Sequence, residues 1–189
     1  MPPILDPNAA PLLTNIRLLL PLIRPYRLSY RTFDEFEPYL VEVADDSGRT
    51  GFADGHISPG SSAETRDGGW AFMRKHIPQM LGRESAVAKA ELLAHFEESK
   101  VATTALACAL EVLESHPLLC VDTDTTLPLL TPVNATDLDA IPAEIADWLA
   151  QGFRTFKVKV GKDIDADLAR VRVIQKAVGT RATLRLDAN

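Results

Sequence analysis

Residues 153–189 have the sequence FRTFKVKVGKDIDADLARVRVIQKAVGTRATLRLDAN, and this stretch decides how the chain folds. Alternating apolar and polar residues predict strands at 153–160 and 183–189, and the segment between them has helical spacing. Asp163 is suited to cap the start of that helix and Gly179 to end it. A strand, a helix and a second strand in this order predict a right-handed βαβ unit with parallel strands.

The predicted helix and the elements before it extend this unit. Four apolar side chains recur on one face of the helix and are expected to be buried: Leu168, Val171, Ile174 and Val178. Upstream, the spacing at 142–151 predicts an amphipathic helix, and the apolar run 127–133 predicts an earlier strand. Residues 125–189 are therefore expected to alternate strand and helix and to contain three parallel strands.

Charged side chains occupy one face of the last two predicted strands. Side chains alternate along a strand, so Lys157 and Lys159 share one face, and Asp187 and Asn189 share one at the end of the next strand. For the lysines alone, a solvated face of a small open sheet is the simpler interpretation. Because ligands and metals bind at the carboxyl ends of parallel strands, the added Asp187 and Asn189 favour a functional site.

The chain before this unit is organised differently. Residues 1–13 contain four prolines and are expected to form a loosely ordered tail. The predicted elements are strands at 15–23, 39–43 and 49–53, loops at 26–36 and 56–62, and helices at 63–80, 85–96 and 101–113. This antiparallel opening followed by helices predicts an α+β domain at 14–124, after which the βαβ unit occupies 125–189.

Composition excludes several classes of protein. The chain has 189 residues, a net charge of −6 and no block of Lys or Arg, so it lacks the electrostatic footprint of a nucleic-acid binder. The apolar run 18–23 is too short for a membrane span and wrongly flanked for a signal peptide, so a cytoplasmic location without membrane association is expected. Two cysteines outside any Cys-X-X-Cys pair predict neither a disulfide framework nor a zinc site.

The residues just described resemble a known family. Lys157-Val158-Lys159 on one strand, a helix, and Asp187-Ala188-Asn189 ending the next strand, 28 residues after the second lysine, resemble the enolase superfamily. The most similar branch is the mandelate racemase and muconate lactonizing enzyme group. The resemblance implies an α+β capping domain at 14–124, followed at 125–189 by the beginning of a (β/α) TIM-type barrel with three parallel strands, which is incomplete.

The same resemblance implies roles for the charged residues. Lys159 would be the general base that removes the proton α to a substrate carboxylate, with Lys157 beside it, and Asp187 would be the first Mg²⁺ ligand. Asn189 would hydrogen-bond the substrate or a ligand of the metal. The chemistry agrees, since a lysine must lose its proton to act as a base near neutral pH and a second cation on the same face favours the neutral amine.

Two loops of the capping domain fall where the family has mobile segments that face the substrate. The residues expected to bind substrate there are Tyr30, Arg31 and Thr32 in one loop and His56, Ile57 and Ser58 in the other. The alternative for His56 is an exposed loop histidine without a ligand. Family caps usually carry a Gly-X-X-Glu segment before the second loop, whereas this chain has Asp54 there, so a role for that carboxylate stays open.

The family barrel needs about 250 residues and eight strands, and this chain supplies about 65 residues after the cap. We expect an N-terminal portion of a racemase, epimerase, cycloisomerase or dehydratase that forms an enolate from a small carboxylate substrate. Alone, it is expected to bind Mg²⁺ weakly or not at all and to be inactive. The alternative is a non-catalytic small α+β binding or interaction module. The sequence leaves the oligomeric state open, a homo-oligomer included.

Overall fold

The computed structural model describes residues 18–28, 31–161 and 163–188. The tail expected at 1–13 lies outside this range. The described residues divide into two compact units: a first unit formed by 18–25 and 33–123, and a second unit formed by 26–32 and 124–188. The second unit contains the residues that carry the charged strand faces.

The first unit combines antiparallel strands with three helices. Its elements are β1 (Leu20–Arg27), β2 (Thr32–Phe36), β3 (Tyr39–Ala44), β4 (Thr50–Gly55), α1 (Arg66–Met80), α2 (Ser85–Ala94), α3 (Lys100–Leu113) and a 3₁₀ turn (Pro117–Leu119). The last residues of β1 and the first residue of β2 are assigned to the second unit. Strands β3 and β4 pair antiparallel, with Tyr39 opposite Gly55 and Ala44 opposite Thr50. The predicted strand pair and the three predicted helices are thus present, with ends shifted by a few residues.

Helix α3 packs directly on strand β4, which explains its alanine-rich sequence. At Gly51 a side chain would collide with the α3 backbone, because an added Cβ would lie 2.1 Å from the carbonyl oxygen of Ala109. Ala105 and Ala109 are fully buried in the same contact. Small residues on both elements therefore allow the helix and the strand to approach closely.

Strands β1 and β2 differ from the prediction. A strand was expected at 15–23 and a loop at 26–36, whereas β1 continues to Arg27 and β2 fills Thr32–Phe36, and the two form their own two-stranded sheet. The mixed polar and aromatic sequence of β2 has no clean period because Phe33 is the one residue of that strand that is fully buried. The loop prediction for 26–36 was wrong for this reason.

The second unit is a three-stranded parallel sheet with helices between its strands. Its elements are β5 (Thr131–Pro132), α4 (Ile141–Ala150), β6 (Thr155–Lys159), α5 (Ile164–Val178) and β7 (Thr183–Asp187). The strand order is β5-β6-β7, and both pairs are parallel. Asp163 caps α5 by accepting a hydrogen bond from the Ala166 amide, and α5 ends before Gly179, which has a φ of +58°. The predicted alternation of strand and helix is confirmed.

The core of the second unit lies between the helices and one face of β6. It contains seven buried residues: Val133, Ile141, Ile145, Phe156, Val158, Ile174 and Val178. Leu168 was expected in this core, but it is 48% exposed because the buried stripe of α5 runs through Ile174 and Val178 toward Arg170. Among the described helices, none is both long enough and apolar enough to span a membrane.

Substitutions at a register pair on neighbouring strands test which part of the apolar face of the sheet carries the stability. Val158 on β6 is fully buried, whereas its register partner on β7, Leu186, is 54% exposed. We expect Val158→Ala to lower the free energy of unfolding by about 2–3 kcal/mol, because it removes buried apolar surface and leaves a cavity. Leu186→Ala is the matched control and should cost less than about 1 kcal/mol. Urea unfolding followed by circular dichroism measures both, and equal losses would contradict the assignment of the core.

Candidate active site

Two lysines and an aspartate meet where strands β6 and β7 end. The parallel register sets Lys159 opposite Asp187 and Lys157 opposite Arg185, so all four side chains lie on the face of the sheet away from Phe156 and Val158. The Nζ atoms of Lys157 and Lys159 each lie 2.7 Å from Oδ2 of Asp187. The sequence-based prediction that these three residues share one face is confirmed by this register.

These three side chains are neither fully solvated nor fully buried. Their exposed fractions lie between 24% and 29%, so water screens the ion pairs less than it would on an open surface. Two ammonium groups on one carboxylate oxygen leave a local excess of one positive charge. The arrangement therefore suits an anionic ligand such as a carboxylate, and it offers an amine beside that ligand.

A cavity of about 620 Å³ adjoins the lysines within the second unit. Its lining includes the side chains of Lys157 and Lys159 and residues of the segment between β5 and α4, such as Asn134. Tyr26, Leu28 and Thr32, which belong to the same unit, complete it on another side. The volume suits a small organic molecule, since ligand pockets commonly measure about 300–1,000 Å³.

Arg170 fixes the backbone at the carboxyl ends of β5 and β6. Its guanidinium donates to the carbonyl oxygens of Val133 at 2.6 Å, Ala135 at 3.2 Å and Lys159 at 3.2 Å. Burial lowers the pKa of this guanidinium, while the nearby carboxylates of Glu144 and Asp167 act in the opposite direction. One guanidinium thus donates to three carbonyl groups at or just beyond the ends of β5 and β6.

Glu144 binds the backbone of the segment between β5 and α4 through hydrogen bonds to its amide groups. Its carboxylate, in the first turn of α4, accepts from the backbone amides of Asn134 at 3.0 Å and Ala135 at 2.8 Å. Asp167 does the equivalent after β6, where it accepts from the amide of Gly161 at 2.7 Å. Gly161 has a φ of +110°, a conformation that favours glycine. Charged side chains on the helices therefore shape both loops that border the cavity.

The sequence analysis missed Arg170 and Glu144. A usable signal was present for Arg170, because it stands four residues before Ile174 and eight before Val178, on the buried stripe of α5. An arginine in line with buried residues must find acceptors, and strand-end carbonyls are the acceptors available there. No comparable pattern marks Glu144, since an acidic residue in the first turn of a helix is common for electrostatic reasons alone.

The structure describes two of the three residues predicted for the first substrate loop, Arg31 and Thr32. Thr32 lines the cavity together with Lys157 and Lys159. Arg31 is exposed, and its carbonyl oxygen accepts from the Leu28 amide at 2.8 Å. Tyr30 lies outside the described residues, as does Asn189 at the end of β7. The substrate-binding role of these four residues stays a prediction.

The predicted residues of the second substrate loop all lie in the first unit. The ring of His56 packs against Phe36, with centroids 4.7 Å apart, and meets Phe33 edge-on. Burial lowers the pKa of His56. Ile57 is 1% exposed within the core of this unit, and the carbonyl oxygen of Ser58 accepts from the amide and hydroxyl of Ser61. Their role toward a substrate also stays a prediction.

Asp187 is the residue here that could hold Mg²⁺. Its carboxylate offers the hard oxygen ligands that this ion prefers, at a strand end where metals bind in α/β folds. The same carboxylate already carries both ammonium groups, so a metal ion would compete with Lys157 and Lys159 for it. Asp187 fits the role of one ligand, and a single carboxylate leaves most of the octahedral shell to other donors.

Comparisons with known proteins agree with this geometry. Residues 140–189 match the family model described as "Enolase C-terminal domain-like". The L-Ala-D/L-Glu epimerase of Bacillus subtilis (strain 168) is 28% identical over 193 residues, which cover 92% of this chain and 50% of that protein. The chain thus spans about half the length of the curated relatives it matches.

Solved structures show the same fold. A mandelate racemase/muconate lactonizing protein from Herpetosiphon aurantiacus has a TM-score of 0.79 and 26% identity, covering 90% of this chain and 50% of that one. A dipeptide epimerase from Methylococcus capsulatus, complexed with Mg and the dipeptide L-Arg-D-Lys, has a TM-score of 0.76 and 25% identity, covering 91% and 51%. The predicted fold class, an α+β cap followed by the beginning of a (β/α)-barrel, is confirmed.

Substituting Arg170 tests whether the strand-end network holds the cavity wall. We expect Arg170→Ala to lower the free energy of unfolding by roughly 2–4 kcal/mol, since buried carbonyls lose charge-assisted donors. Amide exchange at Asn134 and Ala135 should accelerate, because the segment they belong to loses its anchor. Arg172→Ala, an exposed arginine on the same helix, is the control and should change neither. Hydrogen–deuterium exchange with mass spectrometry measures exchange in the segment that contains Asn134 and Ala135. Identical exchange in both variants would contradict the role of Arg170 in holding this segment.

Proposed function

The chain resembles the enolase superfamily, in its mandelate racemase and muconate lactonizing enzyme group, in both sequence and fold, and we propose that it is the N-terminal portion of a dipeptide epimerase. The enzyme would invert the carbon that bears the substrate carboxylate. The observation that carries this proposal is the pair Lys157 and Lys159 on one carboxylate, Asp187, beside a cavity of ligand size.

Lys159 is the proposed base. Its neutral amine would take the proton from the α-carbon, so that the C–H bond breaks, an N–H bond forms, and the electron pair moves into the carboxylate as an enolate. Return of a proton to the opposite face of that carbon would give the epimer, and that step requires a second acid. Lys159 lies at the last position of β6, where a catalytic residue of a barrel is expected.

Lys157 and Asp187 would prepare the site for this step. Lys157 lies on the same face of β6 and lines the same cavity, so its ammonium group can orient the substrate carboxylate beside Lys159. Asp187 holds both lysine side chains in place across the strand pair. Mg²⁺ held with the help of Asp187 would supply positive charge that stabilises the negative charge of the enolate.

The dipeptide substrate class rests on similarity. Matched relatives include an L-Ala-D/L-Glu epimerase, an L-Lys-D/L-Arg epimerase and a hydrophobic dipeptide epimerase, each over about 90% of this chain. A dipeptide also suits a cavity of about 620 Å³ whose wall combines three cationic side chains and one carboxylate with apolar residues such as Leu130 and Val160. These relatives differ in the side chains named for their substrates, so the class is proposed and the particular dipeptide is left open.

Exchange of the α-proton with solvent tests the proposed base. The gene that contains this chain, with whatever coding sequence continues it, is expressed and incubated in D₂O with Mg²⁺ and a panel of L,L-dipeptides. We expect deuterium at the α-carbon of the carboxyl-terminal residue, measured by proton NMR. Lys159→Ala should reduce the rate by roughly 10²–10⁴-fold, the usual contribution of a general base.

The matched control for that experiment is Lys176→Ala, which removes an exposed lysine from α5 and should leave exchange unchanged. Unaltered exchange in Lys159→Ala would reject this lysine as the base. Absence of exchange with every dipeptide in the wild-type protein, while binding of a dipeptide is retained, would favour the non-catalytic binding module instead.

The 189-residue chain expressed alone should behave as an incomplete enzyme. We expect isothermal titration to detect weak Mg²⁺ binding or none, because Asp187 provides a single carboxylate that is already engaged by two ammonium groups. The same preparation should not exchange the α-proton of any dipeptide in the panel. Tight binding at a stoichiometry of one that disappears in Asp187→Asn would refute this expectation.

A further inference from the structure

Two histidines and a glutamate converge in the first unit, in a cluster that the proposed catalytic site does not use. His76 lies on α1, His95 directly follows α2, and Glu98 lies in the turn before α3. Nδ1 of His95 is 2.6 Å from Oε1 of Glu98, and Nε2 of His76 is 3.6 Å from Oε2. One ligand atom from each residue lies within 4.8 Å of the other two.

The buried member of this cluster has an unused nitrogen. His76 is 4% exposed, and its Nε2 has no hydrogen-bond partner among the described residues. The ring is held between aromatic neighbours, with its centroid 4.3 Å from that of Phe72 and 4.4 Å from that of His95. A buried ring nitrogen without a partner is costly, and here it faces the carboxylate of Glu98 at a distance too long for a hydrogen bond.

The protonation states of His76 and Glu98 allow both side chains to bind a metal ion. Hydrogen bonds from Lys75 and His95 lower the pKa of Glu98 to about 2, so it is a carboxylate at neutral pH. Burial lowers the pKa of His76, which favours the neutral imidazole. Neutral imidazole and ionised carboxylate are the forms that bind metal ions.

We propose that His76, His95 and Glu98 bind a Zn²⁺ ion that ties helix α1 to the connection between α2 and α3. Two imidazoles and one carboxylate are a ligand set that zinc accepts, with a fourth position left for water. A cavity of about 280 Å³ adjoins the two histidines and is lined by His76, His95 and Gln79 among others. The oxygen-preferring ions Mg²⁺ and Ca²⁺ fit this set poorly, since two of the three donors are nitrogen.

Binding of zinc would require only small shifts of the three ligand atoms. Ligand atoms around a tetrahedral zinc ion are about 3.4 Å apart, given bonds of about 2.0–2.1 Å. The present separation between His76 and Glu98 is 3.6 Å, and the whole set lies within 4.8 Å. The side chains of His95 and Glu98 are 40% and 45% exposed, so they can rotate while His76 stays fixed by its packing.

Lys75 would compete with a zinc ion for the carboxylate of Glu98. Its ammonium group lies 2.9 Å from Oε2 of Glu98, the oxygen that faces His76. Removing this charge without removing the ligands should strengthen zinc binding. If the cluster serves only as an ion-pair network, the opposite result is expected. Loss of Lys75 would then weaken the network without creating affinity for zinc.

Isothermal titration of the full 189-residue chain with ZnCl₂ tests the proposal. Cys120 is exposed, so the titrations use a Cys120→Ser background, with Asp187→Asn added in a parallel set to remove the carboxylate at the other site. We expect one Zn²⁺ per chain in both backgrounds and a higher melting temperature with zinc. His95→Gln and Glu98→Gln should each weaken binding by more than about 100-fold, since even partners outside the ligand shell are worth about 10–100-fold.

Two further variants sharpen the test. Glu97→Gln, which removes the exposed carboxylate next to Glu98, should leave the affinity unchanged, and Lys75→Gln should raise it several-fold. His95→Gln and Glu98→Gln avoid the buried position of His76, so their folding can be verified by circular dichroism. No saturable binding in the Cys120→Ser protein, or binding that persists unchanged in both ligand variants, would overturn the proposal.

Discussion

The candidate active site depends on the parallel register of β6 and β7. Because Lys159 is opposite Asp187, and Lys157 lies two residues earlier on the same face, both ammonium groups reach one carboxylate oxygen at 2.7 Å. A shift of one residue would turn every side chain of one strand to the other face, which would bury the lysines among apolar side chains and expose Phe156 and Val158. The burial of those two residues therefore selects the register, and the register assembles the site.

The strand ends need support that the strands themselves do not provide. The β5–β6 pairing covers only Thr131 and Pro132 on the β5 side, so the segment after it has few sheet hydrogen bonds. Arg170 and Glu144 replace them with donors to the carbonyl groups and an acceptor for the amides. Both come from helices that are anchored in the core by Ile174 and Ile145. The hydrophobic core thus sets the shape of the cavity through two charged side chains.

Periodicity was sufficient to predict the second unit, because its strands and helices bury one face each and the pattern is visible in the sequence. It was also sufficient to place Lys157, Lys159 and Asp187 together, since alternation along a strand is a local property. It failed for β2, where a single buried residue, Phe33, leaves no period to detect. It also did not reveal the partners of Arg170 and Glu144, which are backbone groups up to 37 residues away, although the position of Arg170 on the buried stripe of α5 was a usable signal. What the sequence specifies locally could be predicted, and what depends on distant hydrogen bonds could not.

The shared carboxylate has a consequence for how such a site would operate. In this chain one carboxylate oxygen of Asp187 lies 2.7 Å from the Nζ atoms of both Lys157 and Lys159, so a single side chain positions both lysines. A cation held with the help of Asp187 would compete with both lysines for that oxygen. Binding of a metal and the placement of the Lys159 amine would then be linked through one carboxylate, because Lys159 and Asp187 occupy the same register position on adjacent strands.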